Sequence, residues 1–303
     1  MTAQRRSGSC SDVGRVRSVN EDRVYVDDQA GIFAVADGVG GHAGGETAAE
    51  LALDVIRAAL AASAGSLKDR IRSAITEANN AIFEMAQGNQ ALRGMACVLT
   101  VAALDGDRFV VGHVGDSRLY LVWNGGLRKL TSDHSPVGEQ EERGELTEEE
   151  AMSHPRRNEV FRDVGTRPRA ADEDGFIESK EFLFKPDSAV LLCSDGLSDV
   201  LTSAQLNEII ERYDGDPYQT ARDLVSAANA AGGADNITAI FIAGPEFLGN
   251  ASQAMAEARE RHAITQTRFT GARRPFWLRL LTGRVAFLIY GLLLGLLIAL
   301  RWK

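Results

Sequence analysis

The sequence predicts an α+β domain in which helices cover the outside of antiparallel sheets. Three observations predict it: short apolar runs of strand length, a hairpin signal between two of them, and helix-length stretches that come in pairs among the strands. No repeat at solenoid spacing competes with that reading.

Ile32 to Ala36 is an apolar run ending at Asp37-Gly38 and reads as a buried strand. From Gly44 to Leu60 the chain turns Ala-rich, with Ala48, Leu51, Leu53, Val55 and Ile56 forming a helical face. A second helix is predicted from Leu67 to Ala86. Cys97–Leu104 and Arg108–Val114 flank Asp105-Gly106, a strong hairpin signal, and Leu119–Trp123 continues the meander towards the turn at 124–126. Residues 133 to 175 are polar and Glu-rich, an excursion from the core with one short helix around Thr147–Met152. Strand character returns at Phe182–Phe184 and Ala189–Cys193. Helices follow over Ser203–Glu211 and Gln219–Ala230, then a last strand at Ile237–Ala243.

The 303 residues are 45% hydrophobic and 25% charged, ordinary for one globular domain. Cys10, Cys97 and Cys193 are widely spaced, which argues against a disulfide framework or a thiolate zinc site. Arg5 and Arg6 are followed by no apolar run, so the start does not read as a signal peptide. Of 33 Lys and Arg side chains, eight fall in residues 261–303, which hold no Asp or Glu. The preceding 260 residues therefore carry 25 basic against 42 acidic side chains, a formal −17. That balance argues against nucleic acid as a partner and suits a body that gathers carboxylates around cations.

Val285 to Leu300 has no charge and is bracketed by Arg284 and Arg301. It reads as a transmembrane anchor (285–300) after a basic linker (246–284), with a buried or interfacial terminal helix as the alternatives. Six Lys or Arg in 261–284 against two after the run put the domain at 1–245 on the cytoplasmic side of a single-pass C-terminal anchor.

Asp-Gly pairs occur at 37, 105, 174, 195 and 214, and most such pairs are turns. Asp37 and Asp195 differ: each directly follows an apolar run and precedes small residues and a helix, so each sits at the end of a buried strand. Asp116 lies in a tight turn between strands, Asp235 just before the last strand, and Glu21-Asp22 near the N-terminus. Hard oxygen donors from separated strand ends suit Mg2+ or Mn2+ rather than zinc. Carboxylates crowded together without a cation would raise one another's pKa.

In order, Arg17-Ser18-Val19-Asn20-Glu21-Asp22, Asp37-Gly38-Val39-Gly40-Gly41-His42, Gly115-Asp116-Ser117-Arg118, Asp133-His134-Ser135, Ser194-Asp195-Gly196 and Asp235-Asn236-Ile237-Thr238 resemble the motifs of the metal-dependent protein phosphatases (protein phosphatase type 2C), in particular the bacterial serine/threonine branch. The resemblance covers roughly residues 7–243. It implies a four-layer α-β-β-α sandwich of two antiparallel sheets flanked by helix pairs, to which this chain adds a C-terminal hydrophobic helix. It also implies two Mn2+ or Mg2+ ions: Asp37 bridging them, the Gly38 carbonyl binding one, Asp195 and Asp235 completing a shell, and Glu21 acting through a water. Asp116 with Asp195 resembles a third metal site.

The same resemblance gives Arg17 the substrate phosphate and makes 133–175 a flap over the active site, with His154, Arg156, Arg157 and Asn158 in a structural or substrate-contacting role. The implied reaction is direct attack of a metal-activated water on phosphoserine or phosphothreonine. The lack of a Cys-x5-Arg loop agrees with that. Val39 stands where many eukaryotic relatives have a His proposed as general acid, which leaves His42 or a metal-bound water as the donor. His113 reads as a core histidine and His134 as a brace for the start of the flap. The implied partners are phosphoproteins, with a cognate Ser/Thr kinase among them. The alternative is an inactive phosphatase-like module that holds phosphorylated partners at the membrane.

Overall fold

Strands buried on both faces decide the architecture. The computed structural model describes residues 6–40, 43–62, 65–170, 173–249 and 284–301. In β3 (Ile32–Val39), Ile32, Ala34 and Ala36 pack in one apolar cluster while Phe33 and Val35 pack in another. The first cluster holds the inner faces of α1 (Ala43–Ala62) and α2 (Leu67–Gly88); the second lies between two sheets. Successive strand residues point to opposite faces, so a strand covered on both sides must be apolar throughout.

The remaining elements in chain order are β1 (Arg6–Asp12), β2 (Asp22–Asp27), β4 (Ala96–Asp105), β5 (Arg108–Val114), β6 (Arg118–Trp123), β7 (Gly126–Lys129), α3 (Pro136–Glu142), α4 (Glu148–Met152), β8 (Glu178–Leu183), β9 (Ala189–Cys193), α5 (Asp195–Ser198), α6 (Ser203–Ile210), α7 (Pro217–Ala230), β10 (Ile237–Ala243) and α8 (Arg284–Arg301). One five-stranded sheet runs β1-β10-β9-β6-β7 and the other β2-β3-β4-β5-β8, every pairing antiparallel. Helices α1 and α2 cover the second sheet. The first is covered by α6 and α7, whose Leu206, Ile210, Leu224 and Val225 pack with Tyr120, Leu191 and Phe241. Between the sheets lie Phe33, Phe109, Leu119, Leu192, Ile240 and Ile242. This is the four-layer α-β-β-α order that the family resemblance implies.

Several elements depart from the sequence reading. Leu119–Trp123 does not continue the β4–β5 meander; β6 crosses to the other sheet, with Arg118 opposite Cys193. The crossing starts at Gly115, whose φ of +113° takes the chain out of the strand direction where a side chain would strike Val98. The turn expected at 124–126 closes a further hairpin: Asn124 and Gly125 both have positive φ, the signature of a type I′ turn, and β7 follows. The strands β1 and β2 were not expected, and β8 starts four residues before the expected Phe182. The 133–175 excursion holds two helices, α3 and α4, instead of one.

The chain divides into two units, Met1–Ser252 and Gln253–Lys303. The run read as a transmembrane anchor forms α8, 18 residues long, whose described leucines and isoleucines are exposed. Among the described residues no helix is long and apolar enough to cross a membrane. Residues 250–283 of the expected basic linker, and His42, lie outside the described residues.

The returning end of the excursion is held by α2. The buried Asn79 donates through Nδ2 to the Arg167 carbonyl at 2.8 Å and accepts the Gly165 N–H through Oδ1 at 2.8 Å. Asn80 pairs with the Arg169 N–H and carbonyl at 2.8 and 3.0 Å, and Val164 bridges to Cys97 of β4. Because a buried backbone group without its partner costs about 1–3 kcal/mol, Asn79→Ala is expected to lower the urea-unfolding free energy by about 3 kcal/mol. A loss below about 1 kcal/mol would show that the segment holds without it.

Candidate active site

Five separate segments bring carboxylates to one end of the sandwich. Asp37 is fixed by β3, where it faces Asp22 of β2 on one side and Val98 of β4 on the other. Gly38 follows it in the same strand; a Cβ there would sit 2.2 Å from the Gly45 carbonyl oxygen, so the start of α1 lies directly against the strand. Asp195 opens α5 immediately after β9. Asp116 occupies the turn from β5 to β6, and Asp235 ends the loop before β10. Together with Glu21 and Arg17 these residues line a single cleft of about 440 Å3. All seven residues singled out from the sequence therefore share one wall.

Asn236 is the organiser that the sequence reading did not credit beyond its motif. Its Oδ1 accepts the Glu21 N–H at 2.8 Å, and its Nδ2 donates to the carbonyls of Val13 and Val19 at 3.0 and 2.9 Å. One amide thus clamps the loop that carries Arg17 and Glu21. Arg17 Nη2 donates to Asp235 Oδ2 at 2.7 Å, with the guanidinium about half exposed. The other Asp235 oxygen accepts the Asn236 N–H at 2.8 Å. Asp22 is also buried: Ser194 Oγ donates to its Oδ2 at 2.7 Å and itself accepts the Thr238 N–H at 3.0 Å, tying the two sheets together beneath the site. The position of Asp22 beside Glu21 gave no sign of this role; only the β2–β3 register puts it against Asp37.

The electrostatics of this end are unfavourable for a cation-free cluster. Burial pushes the Asp37 carboxyl well above the usual range, and the charges of Asp22, Asp195, Asp116 and Asp235 push it further. Asp195 is raised in the same way by burial, then by Asp116 and Asp199. Asp116 is pushed up to about 7, by burial and then by Asp133 and Asp199, and Asp22 to about 6, chiefly by burial. Oxygen donors from fixed strands that destabilise one another as anions fit divalent cations of the Mg2+ or Mn2+ type.

A different set of ligating atoms, those of His113, His134 and Glu178, lies within 4.8 Å of one another, but protein groups already occupy them. His113 Nε2 faces the carbonyls of Gly115 and Ser132 at 2.9 and 3.1 Å, which assigns it the proton, and its Nδ1 meets Thr100 Oγ1 at 2.8 Å. His134 Nδ1 accepts the Gly115 N–H at 3.0 Å. Glu178 accepts the Ser132 N–H and hydroxyl at 2.9 and 3.0 Å. The two stacked imidazoles therefore grip the Gly115 peptide from both sides and hold the turn that carries Asp116. His113 is a core histidine and His134 a brace at the start of the 133–175 excursion, as the sequence suggested.

The excursion is fastened to the site. Buried Arg118 grips Asp133 through Nε and Nη2, the shortest contact 2.6 Å, and reaches Glu141 of α3. Burial opposes ionisation of Asp133, but Arg118 and Lys129 beside it hold its carboxyl below the usual range. Arg157 Nε donates to Asp199 Oδ2 at 3.1 Å, and its neighbours Asn158 and Val160 line the cleft. Arg156 pairs instead with Glu159 at the surface.

Known proteins resemble this chain in sequence and in fold. The protein phosphatase 2C family profile matches residues 14–230. The serine/threonine phosphatase stp of Listeria monocytogenes is 35% identical over 242 residues, which is 77% of this chain and 93% of the relative. The crystal structure of the Mycobacterium tuberculosis serine/threonine phosphatase PstP/Ppp superposes with a TM-score of 0.71 at 32% identity, covering 79% of this chain and 98% of that one. The catalytic domain of PstP in complex with two manganese ions superposes with a TM-score of 0.69 at 31% identity, covering 79% and 97%. Sequence and fold agree: the chain is an enzyme of the protein phosphatase 2C family.

Proposed function

We propose that this phosphatase hydrolyses phosphoserine and phosphothreonine in proteins at a binuclear Mn2+ or Mg2+ centre held in the carboxylate cleft. The observation that carries the reading is the convergence of Glu21, Asp37, Asp116, Asp195 and Asp235 with Arg17 on one cleft. In this proposal Asp37, the Gly38 carbonyl, Asp195, Asp235 and Glu21 hold two ions, and Asp116 with Asp195 holds a third. Bound divalent ions supply Lewis-acid activation of water and neutralise charge on the phosphoryl oxygens.

The chain's own groups do the rest. Arg17 spends one N–H on Asp235 and has four more in its planar fork to receive phosphate oxygens. The clamp by Asn236 keeps that fork over the carboxylates, so the phosphate enters in one orientation. Ser194 and the β2–β3 ladder hold Asp22 and Asp37 against their mutual repulsion. Val39, at the cleft edge, has no proton to donate, so the leaving oxygen takes its proton from another group. The partners in this reading are phosphoproteins, a cognate Ser/Thr kinase among them.

The proposal extends to a membrane tether through α8, with the catalytic unit cytoplasmic. It is supported by the charge-free run 285–300 and by the eight basic and no acidic residues of 261–303. Eighteen helical residues rise about 27 Å, short of a hydrocarbon core of about 30 Å, so a tether through α8 requires the bilayer to thin around it.

Asp37→Asn in the full chain is expected to lower kcat for p-nitrophenyl phosphate with Mn2+ by at least ~100-fold. Equal turnover by both proteins, or none by either, would remove the enzymatic reading in favour of a binding module.

A second test follows from linkage. Raised carboxyl pKa values stabilise the fold below the unfolded value near 4, and that stability is lost as pH rises through about 6 to 7 for Asp22 and Asp116. Thermal melts of the Mn2+-free chain should therefore fall between pH 5 and pH 8, and Mn2+ should raise the midpoint more at pH 8 than at pH 5. The same pH dependence with and without Mn2+ would exclude Asp116 as a ligand and Asp22 as a neighbour of the ions.

Deleting residues 276–303 should move the protein from the membrane to the soluble fraction on ultracentrifugation. A full chain already soluble would end the tether proposal.

A further inference from the structure

The cleft has a charged floor but an apolar rim. Val16 and Val19, on either side of Arg17, are 72% and 37% exposed, and Val39, one residue past Gly38, is 45% exposed. All three line the same cleft as the carboxylates, and Val160 of the 133–175 excursion lines it from the opposite segment. Single exposed valines are ordinary, but three exposed ones and the half-buried Val160, from three separate segments around one opening, are a patch. Arg17 is the one basic side chain among the described residues lining the cleft, and Asp235 already holds it. The other uncharged rim residues are Ser18 and Asn158.

We infer that the rim selects substrates: it accepts phosphoserine or phosphothreonine flanked by apolar side chains and disfavours the same residue flanked by acidic ones. The inference rests on the phosphatase reading above, because the phosphate must reach Arg17 for the argument to begin. A phosphate seated there leaves the residues before and after it no place but the loop at 16–19, the end of β3 and the segment at 158–160. An apolar side chain laid on those valines removes apolar surface of both partners from water. A carboxylate laid there loses hydration and, with Arg17 taken up by Asp235 and the phosphate, gains no ion-pair partner among the described residues that line the cleft. The rim is continuous with the cleft, so its occupant is the peptide that carries the phosphate.

The test uses the full chain with Mn2+ and two phosphothreonine peptides that differ only in flanking Leu and Val against flanking Glu. The expected result is a kcat/KM at least about tenfold higher for the apolar peptide, the low end of what an apolar pocket discriminates. In the double variant Val16→Lys, Val39→Lys that ratio should fall at least tenfold. The milder Val16→Ser, Val39→Ser should lower it too, and a misfolded variant is identified by its far-UV spectrum. Calorimetry with non-hydrolysable phosphonate versions of both peptides should show the same order of affinity. Equal kcat/KM for the two peptides in the wild type would overturn the inference and leave the phosphatase reading standing. An unchanged ratio in both folded variants would overturn the assignment to the rim. Hydrolysis of neither peptide would overturn both readings together.

Discussion

Asp37 cannot move away from its neighbours without breaking the sheet. It is held between Asp22 and Val98 by the antiparallel ladders of β2, β3 and β4, and its half-buried carboxyl lies among other acids. Every other feature of the active end follows from that constraint. Backbone pairing fixes like charges where electrostatics alone would separate them, and a cluster so held is preorganised for divalent cations. The energy that keeps the acids together comes from the two apolar layers and the inter-sheet core, in which each strand alternates its side chains.

The supports around the acids are mostly hydrogen bonds to backbone. Asn236 ties the loop that carries Arg17 and Glu21 to the strand that follows Asp235, two segments more than 200 residues apart. His113 and His134 hold the Gly115 peptide from both sides, and Ser194 joins Asp22 to β10. Such contacts have fixed directions, so they convert the packing of the sandwich into the placement of a few oxygen atoms. Residues that would pass as ordinary polar core therefore set the geometry of the site.

The 133–175 excursion has no strand of its own among the described residues, and its two ends are anchored differently. The start is held by charge: buried Arg118 with Asp133 and Glu141. The end is held by the amides of Asn79 and Asn80. Arg157 joins the middle to Asp199, four residues past Asp195. A segment attached in this way can present Asn158 and Val160 to the cleft at a constant height, which is what a selective rim requires.

The elements legible from sequence were those whose pattern is local. Apolar runs such as Ile32–Ala36 and Ala189–Cys193 announced doubly buried strands, and Asp105-Gly106 announced its hairpin. The acids of the site were legible because each stood at the end of such a run or inside a recurring motif. β1 was not legible: Arg6–Asp12 is rich in Ser and Gly, and it becomes a strand only because β10, some 230 residues later, offers an edge to pair with. The crossing of β6 to the first sheet was equally hidden, since a turn at Gly115-Asp116 looks the same whether the next strand returns or departs. Chain-local chemistry determined which residues carry charge and which segments are strands. Tertiary structure alone decided that Asp22 meets Asp37, that Asn236 clamps the arginine loop, and that four valines ring one opening, because register and sheet order are properties of residues far apart in the chain.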